Sequence, residues 1–246
     1  MEERFMRAGA ILGEAAMERL WHSRVMVVGL GGVGSWCAEA LARSGVGELV
    51  LVDQDSVGLS NCNRQLCALE STLGQSKAEV TARRVRDISP GCRVTALAER
   101  YDGESRERFF DPAPDYIVDA IDLVACKLDL IETAVCRGVP IVSALGTGNK
   151  RDASLLRLCD LAETSGCPFA RIIRRELRRR GIEHLPVVFS PEEAAESAQL
   201  ETPPPGRRSV PGSLVWVPAS AGMLLAQHVV LSLAAAGGPA DPTPAL

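Results

Sequence analysis

An open, mostly parallel α/β sheet with helices on both faces is the fold class this sequence predicts, and three observations predict it. The first is a short apolar run, Val25-Met26-Val27-Val28, that breaks into Gly29-Leu30-Gly31-Gly32-Val33-Gly34 and then into a helical pattern from Ser35 to Ser44. The second is another apolar run, Leu49-Val50-Leu51-Val52, that ends on Asp53. The third is the return of strand and helix patterns downstream, with a strand at 115–122, a helix at 124–137 and a strand at 139–144. Strand, glycine turn, helix, strand and acid, in that order, are the first half of a Rossmann-like nucleotide-binding unit.

Residues 2–22 read as a lead-in helix of mixed charge, and Trp36, Ala40 and Leu41 fall near one face of the helix after the glycine turn. At that turn, side chains would keep the backbone from closing on a phosphate, so Gly29, Gly31, Gly32 and Gly34 are candidate nucleotide-binding positions. Asp53 stands about where an acid grips a ribose hydroxyl. The glycines and Asp53 suit NAD as well as ATP, so the residues after Asp53 must decide between them. These include Asp55, Asn61, Arg64, Gln65 and Lys77. An arginine, an amide pair and a lysine suit a triphosphate, whose β- and γ-phosphates need forked donors and point charges. Lys77 opens a helix predicted at 75–88, where a cation works against the helix dipole.

A third strand is predicted at Arg93–Leu97 and a short charged helix at 103–111. The strand at 115–122 ends in Asp119 and Asp122, at the carboxyl edge where open sheets bind ligands. Asp119 is either a ligand-facing acid or the cap of the helix starting near Val124. Gly146-Thr147-Gly148 is either a second close approach to substrate or a tight loop. Ser154–Asp160 reads as a strand and Cys167–Gly181 as a helix, with Arg171, Arg174, Arg175, Arg178 and Arg179 on one face and Ile172, Ile173 and Leu177 docking the other. Such a stripe neutralises a phosphate backbone, or is an arginine-rich solvated face in a chain with only three lysines. Residues 191–212, with three consecutive prolines, are expected to be a mobile loop. A strand at 213–217 and an apolar helix from Pro218 to about Ala236 come after it, then a disordered tail at 237–246. Gln227, His228 and Gly222 interrupt the apolar helix, which is expected to pack on the sheet or a dimer partner and not to enter a membrane.

Composition agrees with one globular domain over 1–246. Hydrophobic content of 46% supports a sizeable core, and a net charge of −4 confines any nucleic-acid contact to a local patch. The eight cysteines form no CxxC pair, which argues against paired-cysteine zinc, and the charged first residues lack an apolar signal core, so a cytoplasmic setting is expected.

The combined motif, GxGGVGS at 29–35, DxDxVxxSNxxRQ at 53–65 and GxxKAE at 74–79, resembles the ubiquitin-activating-type adenylyltransferases, the superfamily of ThiF, MoeB and HesA. That resemblance implies ATP with Mg²⁺, and Arg64, Lys77 and Asp122 as catalytic groups. DAxD at 119–122 matches the superfamily's DCxD, which makes Asp122 the Mg²⁺ ligand. Arg4-Phe5-Met6-Arg7 matches an RYxR element whose second arginine crosses a homodimer interface; Arg7 is thus a candidate finger in trans, or a solvated basic turn. The arrangement GTGNKxD at 146–152, DLxET at 160–164, RxELRRRGI at 174–182 and VVFSPE at 187–192 is similar to the tRNA threonylcarbamoyladenosine dehydratases, departing where Ala153 follows Asp152 and Cys167 precedes Pro168. It implies ATP-dependent cyclisation of the threonylcarbamoyl group on the adenosine beside the anticodon, with tRNA as partner through the arginine stripe. A monovalent cation beside Mg²⁺ and a sulfur-relay partner of the cysteine desulfurase kind also come into consideration. The first rival is adenylylation of a ubiquitin-like sulfur carrier, with Cys159 and Cys167 as thiol candidates. A nucleotide or redox sensor and an NAD dehydrogenase are weaker rivals.

Overall fold

The computed structural model describes residues 2–200 and 210–235. Seven strands form one sheet: β1 (Arg24–Val28), β2 (Glu48–Val52), β3 (Arg93–Leu97), β4 (Tyr116–Asp119), β5 (Ile141–Ala144), β6 (Arg157–Asp160) and β7 (Pro186–Phe189). Their order is β3-β2-β1-β4-β5-β7-β6. All neighbours are parallel except β6, which runs antiparallel to β7. Chain order reverses direction between β1 and β4, and that reversal opens a crevice beyond their carboxyl ends.

The helices are α1 (Met6–Leu12), α2 (Glu14–His22), α3 (Gly34–Arg43), α4 (Lys77–Ile88), α5 (Val124–Cys136), α6 (Pro168–Arg178) and α7 (Trp216–Ala234). Period-two side-chain alternation divides the core between the sheet's faces. Val25, Val27, Leu49 and Leu51 pack with Leu41, Ala82 and Leu225 of α3, α4 and α7. Met26, Val28, Val50 and Ile117 pack with Leu130 and Ile131 of α5 and Ile173 and Leu177 of α6. The inner strands β1, β2, β4 and β5 are buried on both sides, which explains why they read as continuous apolar runs, while the edge strands β3 and β6 are partly exposed.

Several local expectations change. The lead-in helix is two helices, because Gly13 breaks it at φ 86°. The buried residues of α3 include Cys37, Ala38, Leu41 and Ala42, while Trp36 and Ala40 are half-buried. The charged helix at 103–111 is a single 3-10 turn, Arg106–Phe109. Residues 213–217 are not a strand. Leu214 and Val215 have no sheet partner and lead into α7, which starts two residues before Pro218; a proline fits the first turn of a helix, whose N–H groups lack intrahelical acceptors. β7 carries the VVF of the VVFSPE motif and is a strand that the sequence patterns above do not include. The helical stretch expected at 75–88 starts two residues later and ends at Ile88 as expected, and that at 167–181 is shorter at both ends, with Ser76 and Cys167 as caps. Residues 191–200 are irregular, and Pro203–Pro205, Gly206-Arg207-Arg208 and the tail at 237–246 lie outside the described residues.

α7 is long and apolar enough to cross a membrane by length and composition. Here it lies across α3. A Cβ on Gly222 would stand 2.4 Å from the Val33 carbonyl oxygen, so the two helices touch backbone to backbone. Behind the glycine turn, buried Glu39 of α3 accepts from Arg84 Nε at 2.6 Å and Nη2 at 3.0 Å, and from Arg43 Nε at 2.7 Å. Burial pushes the Glu39 carboxyl up, but the hydrogen bonds and charges of Arg84 and Arg43 outweigh it and hold the group below its ordinary 4.5. The unfolded chain therefore binds this proton first as pH falls, and the stabilisation is present above about pH 4.5 and is lost below it. Thermal melts from pH 6 to pH 3 (an assay range of ~3 pH units) are expected to fall less steeply for Glu39→Gln than for the unaltered protein.

Candidate active site

The glycine turn joins β1 to α3 at the reversal point. A Cβ on Gly34 would lie 1.8 Å from the Gly29 carbonyl oxygen, and one on Gly29, at φ 91°, would lie 2.7 Å from that of Ala120. These two glycines are fixed by the fold. Gly31 is not: a Cβ there meets only Gln65 Nε2, at 3.7 Å. An open glycine at the start of a helix, whose first N–H groups have no intrahelical acceptor, is a cradle for an anion.

Asp53, at the end of β2, accepts from the Leu30 N–H at 2.7 Å and the Asp55 N–H at 2.8 Å. It braces the turn, a role that spacing alone does not reveal, and burial pushes its carboxyl up while those two N–H groups and Lys77 partly counter the shift. Lys77, the first residue of α4, is only 5% exposed, and its Nζ lies 3.0 Å from Asp55 Oδ2. Asp55 and Lys77 meet because the segments containing them pair through Ser56 and Ser76 and through the Lys77 N–H to the Asp55 carbonyl, 3.0 Å. A buried lysine whose partner is an exposed carboxylate is a cation held ready at the crevice wall.

The loop between them lies over the turn. Asn61 Oδ1 accepts from the Gly58 N–H at 3.0 Å, so its side chain shapes its own loop. Arg64 Nη1 donates to the Ser60 carbonyl at 2.9 Å and Asn63 Oδ1 at 3.0 Å, and its Cγ faces Gly32 at 3.5 Å from a built Cβ. Trp36 Nε1 holds the Arg64 carbonyl at 3.1 Å. Gln65 is buried, and its Oε1 has no hydrogen-bond partner. The amide nitrogen of Gln65 faces Gly31, and its unpartnered oxygen is a buried acceptor that the protein itself does not satisfy.

Beyond β4, Asp122 is exposed at the crevice mouth. Asp119 neither caps α5 nor faces outward. Its Oδ2 contacts Lys127 Nζ at 2.6 Å and accepts from Ser143 Oγ at 2.6 Å, and its Oδ1 accepts from the Ile121 N–H at 3.0 Å. Lys127 Nζ also reaches Ser143 Oγ and the Ala144 carbonyl, each at 2.9 Å, which uses all three of its donors. Both charges are fully buried, and burial pulls the Lys127 ammonium down against the pull of Asp119. This cluster ties β4, β5 and α5 directly beneath the mouth. Neither Lys127 nor Ser143 is among the residues expected from motif spacing, yet Lys127 shares a helical face with the buried Leu130 and Ile131, and that periodicity is a signal of burial.

The second glycine turn is a packed loop. Asn149, at φ 56°, exchanges bonds with Gly212 at 2.6 and 2.8 Å, and a Cβ on Gly148 would meet Pro211 at 2.8 Å. The Glu192 carboxylate accepts from the Arg151 and Asp152 N–H groups at 2.9 to 3.1 Å, and buried Lys150 donates to the Glu192 carbonyl.

Arg7 is exposed on α1, and the neighbouring Phe5 packs on Gly45 past the far end of α3. It is about 15 Å of helix away from its own glycine turn and does not join its own chain's site. On α6, Arg171, Arg175, Arg178 and Arg179 are exposed, but Arg174 turns inward onto the Thr164 carbonyl and hydroxyl, so it leaves the stripe. Glu176 pairs with Arg175 and Arg179, each at 3.0 Å, and Ile172 is exposed instead of docked. Burial pushes the Cys159 thiol up to about 11, away from the reactive thiolate, and Cys167 Sγ accepts from the Ala170 N–H as the cap of α6.

The family model described as the ThiF family matches residues 4–242. The chain belongs to the ThiF family. Within it, the chain is 38% identical over 242 residues to the tRNA threonylcarbamoyladenosine dehydratase of Bacillus subtilis, covering 95% of each. It is 40% identical over 178 residues to the Escherichia coli enzyme of that name, covering 72% of this chain and 66% of that one. Similarity to the E. coli sulfur carrier protein ThiS adenylyltransferase, 34%, covers 53% of this chain and 52% of that one. Among solved structures, E. coli tRNA N6-threonylcarbamoyladenosine dehydratase in complex with ATP superposes with a TM-score of 0.85 at 33% identity, over 94% of this chain and 93% of that one.

Gly34→Ala forces a carbon into backbone and is expected to cost about 3 kcal/mol of stability. Gly31→Ala is expected to melt normally and to lose affinity for ATP, measured by calorimetric titration. Lys127→Ala strands a buried carboxylate and is expected to cost about 3–5 kcal/mol in chemical denaturation.

Proposed function

We infer that this protein is an ATP-dependent tRNA threonylcarbamoyladenosine dehydratase that activates a carboxylate as its adenylate and releases AMP. The single observation that carries the reading is the end-to-end match to the B. subtilis dehydratase, against a match to the sulfur-carrier enzyme that stops at half the chain. The glycine cradle, Arg64, Lys77 and the acids at the carboxyl ends of the strands supply what carboxylate activation needs.

In the reaction, the threonyl carboxylate oxygen attacks the α-phosphorus of ATP, the α–β bridging bond breaks, and pyrophosphate leaves. An atom of the same side group then attacks the activated acyl carbon, loses its proton, and displaces AMP as the ring closes. One water's worth of atoms is lost from the nucleoside. Because the second nucleophile is tethered, positioning supplies much of the rate. The turn N–H groups and Lys77, released from Asp55, hold the phosphates, Arg64 spreads the developing charge, and the unused lone pairs of Asp53 take the ribose. Mg²⁺ fits the exposed Asp122, since that ion keeps several waters and needs only one or two carboxylates besides phosphate oxygens. When bound it would neutralise charge on the phosphates.

The exposed arginines of α6 follow the tRNA backbone from the crevice outward. The start of α6 lies at the crevice, with Cys167 Sγ 3.2 Å from a built Cβ on Gly146, and Arg179 lies about 18 Å along the helix axis from it. Arg7, remote from its own turn, acts in trans across a homodimer. The unpaired state of all eight cysteines suits a cytoplasmic enzyme.

Single-turnover reaction with ATP, Mg²⁺ and tRNA carrying threonylcarbamoyladenosine is expected to yield a nucleoside lighter by one water, with AMP, in mass analysis; unaltered tRNA would overturn the reading. Asp122→Ala is expected to abolish that product. Mixing inactive Arg7→Ala and Lys77→Ala proteins is expected to restore activity through mixed dimers, and no restoration would remove the role in trans.

A further inference from the structure

Of the three tryptophans, Trp21 and Trp36 are half-buried, while Trp216 is 50% exposed. It is not loose. Its Nε1 donates to the Arg151 carbonyl at 2.7 Å, and that segment is itself pinned, because the Arg151 N–H bonds to the Glu192 carboxylate. The ring stands at the first position of α7, where the next turn is packed: two residues on, Pro218 Cβ lies 3.2 Å from a built Cβ on Gly32 of the phosphate turn. Three residues before the ring, the Ser213 carbonyl accepts from Asn63 Nδ2 at 3.0 Å, beside Arg64. Trp216 is therefore held on the crevice rim, between the phosphate turn and the 149–152 loop.

An exposed indole costs free energy unless something covers it, and aromatic residues are only 4% of this chain. The neighbours indicate what covers it. Leu214 and Val215 extend the apolar platform, and the exposed Arg151 stands beside it. A rigid flat ring, fixed at its N–H edge and next to a guanidinium, matches the way proteins hold splayed single-stranded bases, by stacking the base face and neutralising the adjacent phosphate.

We propose that Trp216 is a base-stacking platform that takes an unpaired nucleobase flanking the modified adenosine and so sets that adenosine over the phosphate turn. This inference rests on the dehydratase reading. Trp216 is a positioning residue in it, acting on substrate placement and not on the phosphoryl chemistry.

The test uses the full chain and a synthetic anticodon stem-loop carrying threonylcarbamoyladenosine, with abasic sites placed one at a time on either side of that nucleotide. Trp216→Ala is expected to raise the stem-loop KM about tenfold, with the ATP dissociation constant and melting temperature unchanged. Trp216→Phe keeps a stacking face and is expected to recover most of the loss. One flanking abasic site is expected to weaken the unaltered protein by a similar factor and to add nothing to Trp216→Ala. An abasic effect that persists undiminished in Trp216→Ala would overturn the proposal, as would a change in sedimentation with KM unaltered, which would make Trp216 an interface residue. Failure of the unaltered protein to convert any stem-loop or tRNA would instead overturn the dehydratase reading beneath it.

Discussion

The closure of the glycine turn on its own sheet is the constraint on which the rest of this structure depends. With Gly34 against the Gly29 carbonyl and Gly29 against that of Ala120, α3 can start only where β1 and β4 diverge. That position points the N-terminal end of α3 at the crevice, and it also sets where Asp53 must stand to accept from Leu30. The turn is thus built twice over, by excluded volume on one side and by a partly buried carboxylate on the other. Gly31 and Gln65 are left as the parts that the fold itself does not use up.

Charge is handled differently above and below the crevice floor. Below it, Asp119 and Lys127 neutralise one another in full burial, and every donor of the lysine is satisfied, so the cluster acts as a rivet between β4, β5 and α5. Such a buried pair contributes less stability than apolar packing of the same volume, so its role lies in fixing the strand ends to a single geometry. Above it, Lys77 is buried but its partner Asp55 is exposed, so water reaches the pair from one side. Two lysines with similar burial therefore have opposite availability, and the exposure of the partner makes the difference.

The substrate side is assembled from segments far apart in sequence. The 149–152 loop, Glu192 and Gly212 are held together by backbone N–H groups that donate to the Glu192 carboxylate and the Asn149 side chain, and α7 crosses from this knot to the phosphate turn through Pro218. The helix that composition would allow in a membrane is here the strut between the two halves of the site.

Strands β1 to β6, the glycine turn and the family were legible in the sequence, because period-two and helical patterns and motif spacing are local properties of the chain. Strand β3 was readable to the residue for the same reason. Local pattern could not say that Asp119 turns inward while Asp122 stays out, since both lie at one strand end and only the arrival of Lys127 and Ser143 from other elements separates them. Nor could helical spacing remove Arg174 from the arginine stripe, which depends on Thr164 lying within its reach. The strand expected at 213–217 does not form because Gly212 and Ser213 are bonded to the side chains of Asn149 and Asn63, and α7 begins at Trp216. Sequence by itself determined which chemistry this chain carries; tertiary structure decided which charges hold the site together and which remain for the ligand, because that division depends on contacts between residues distant along the chain.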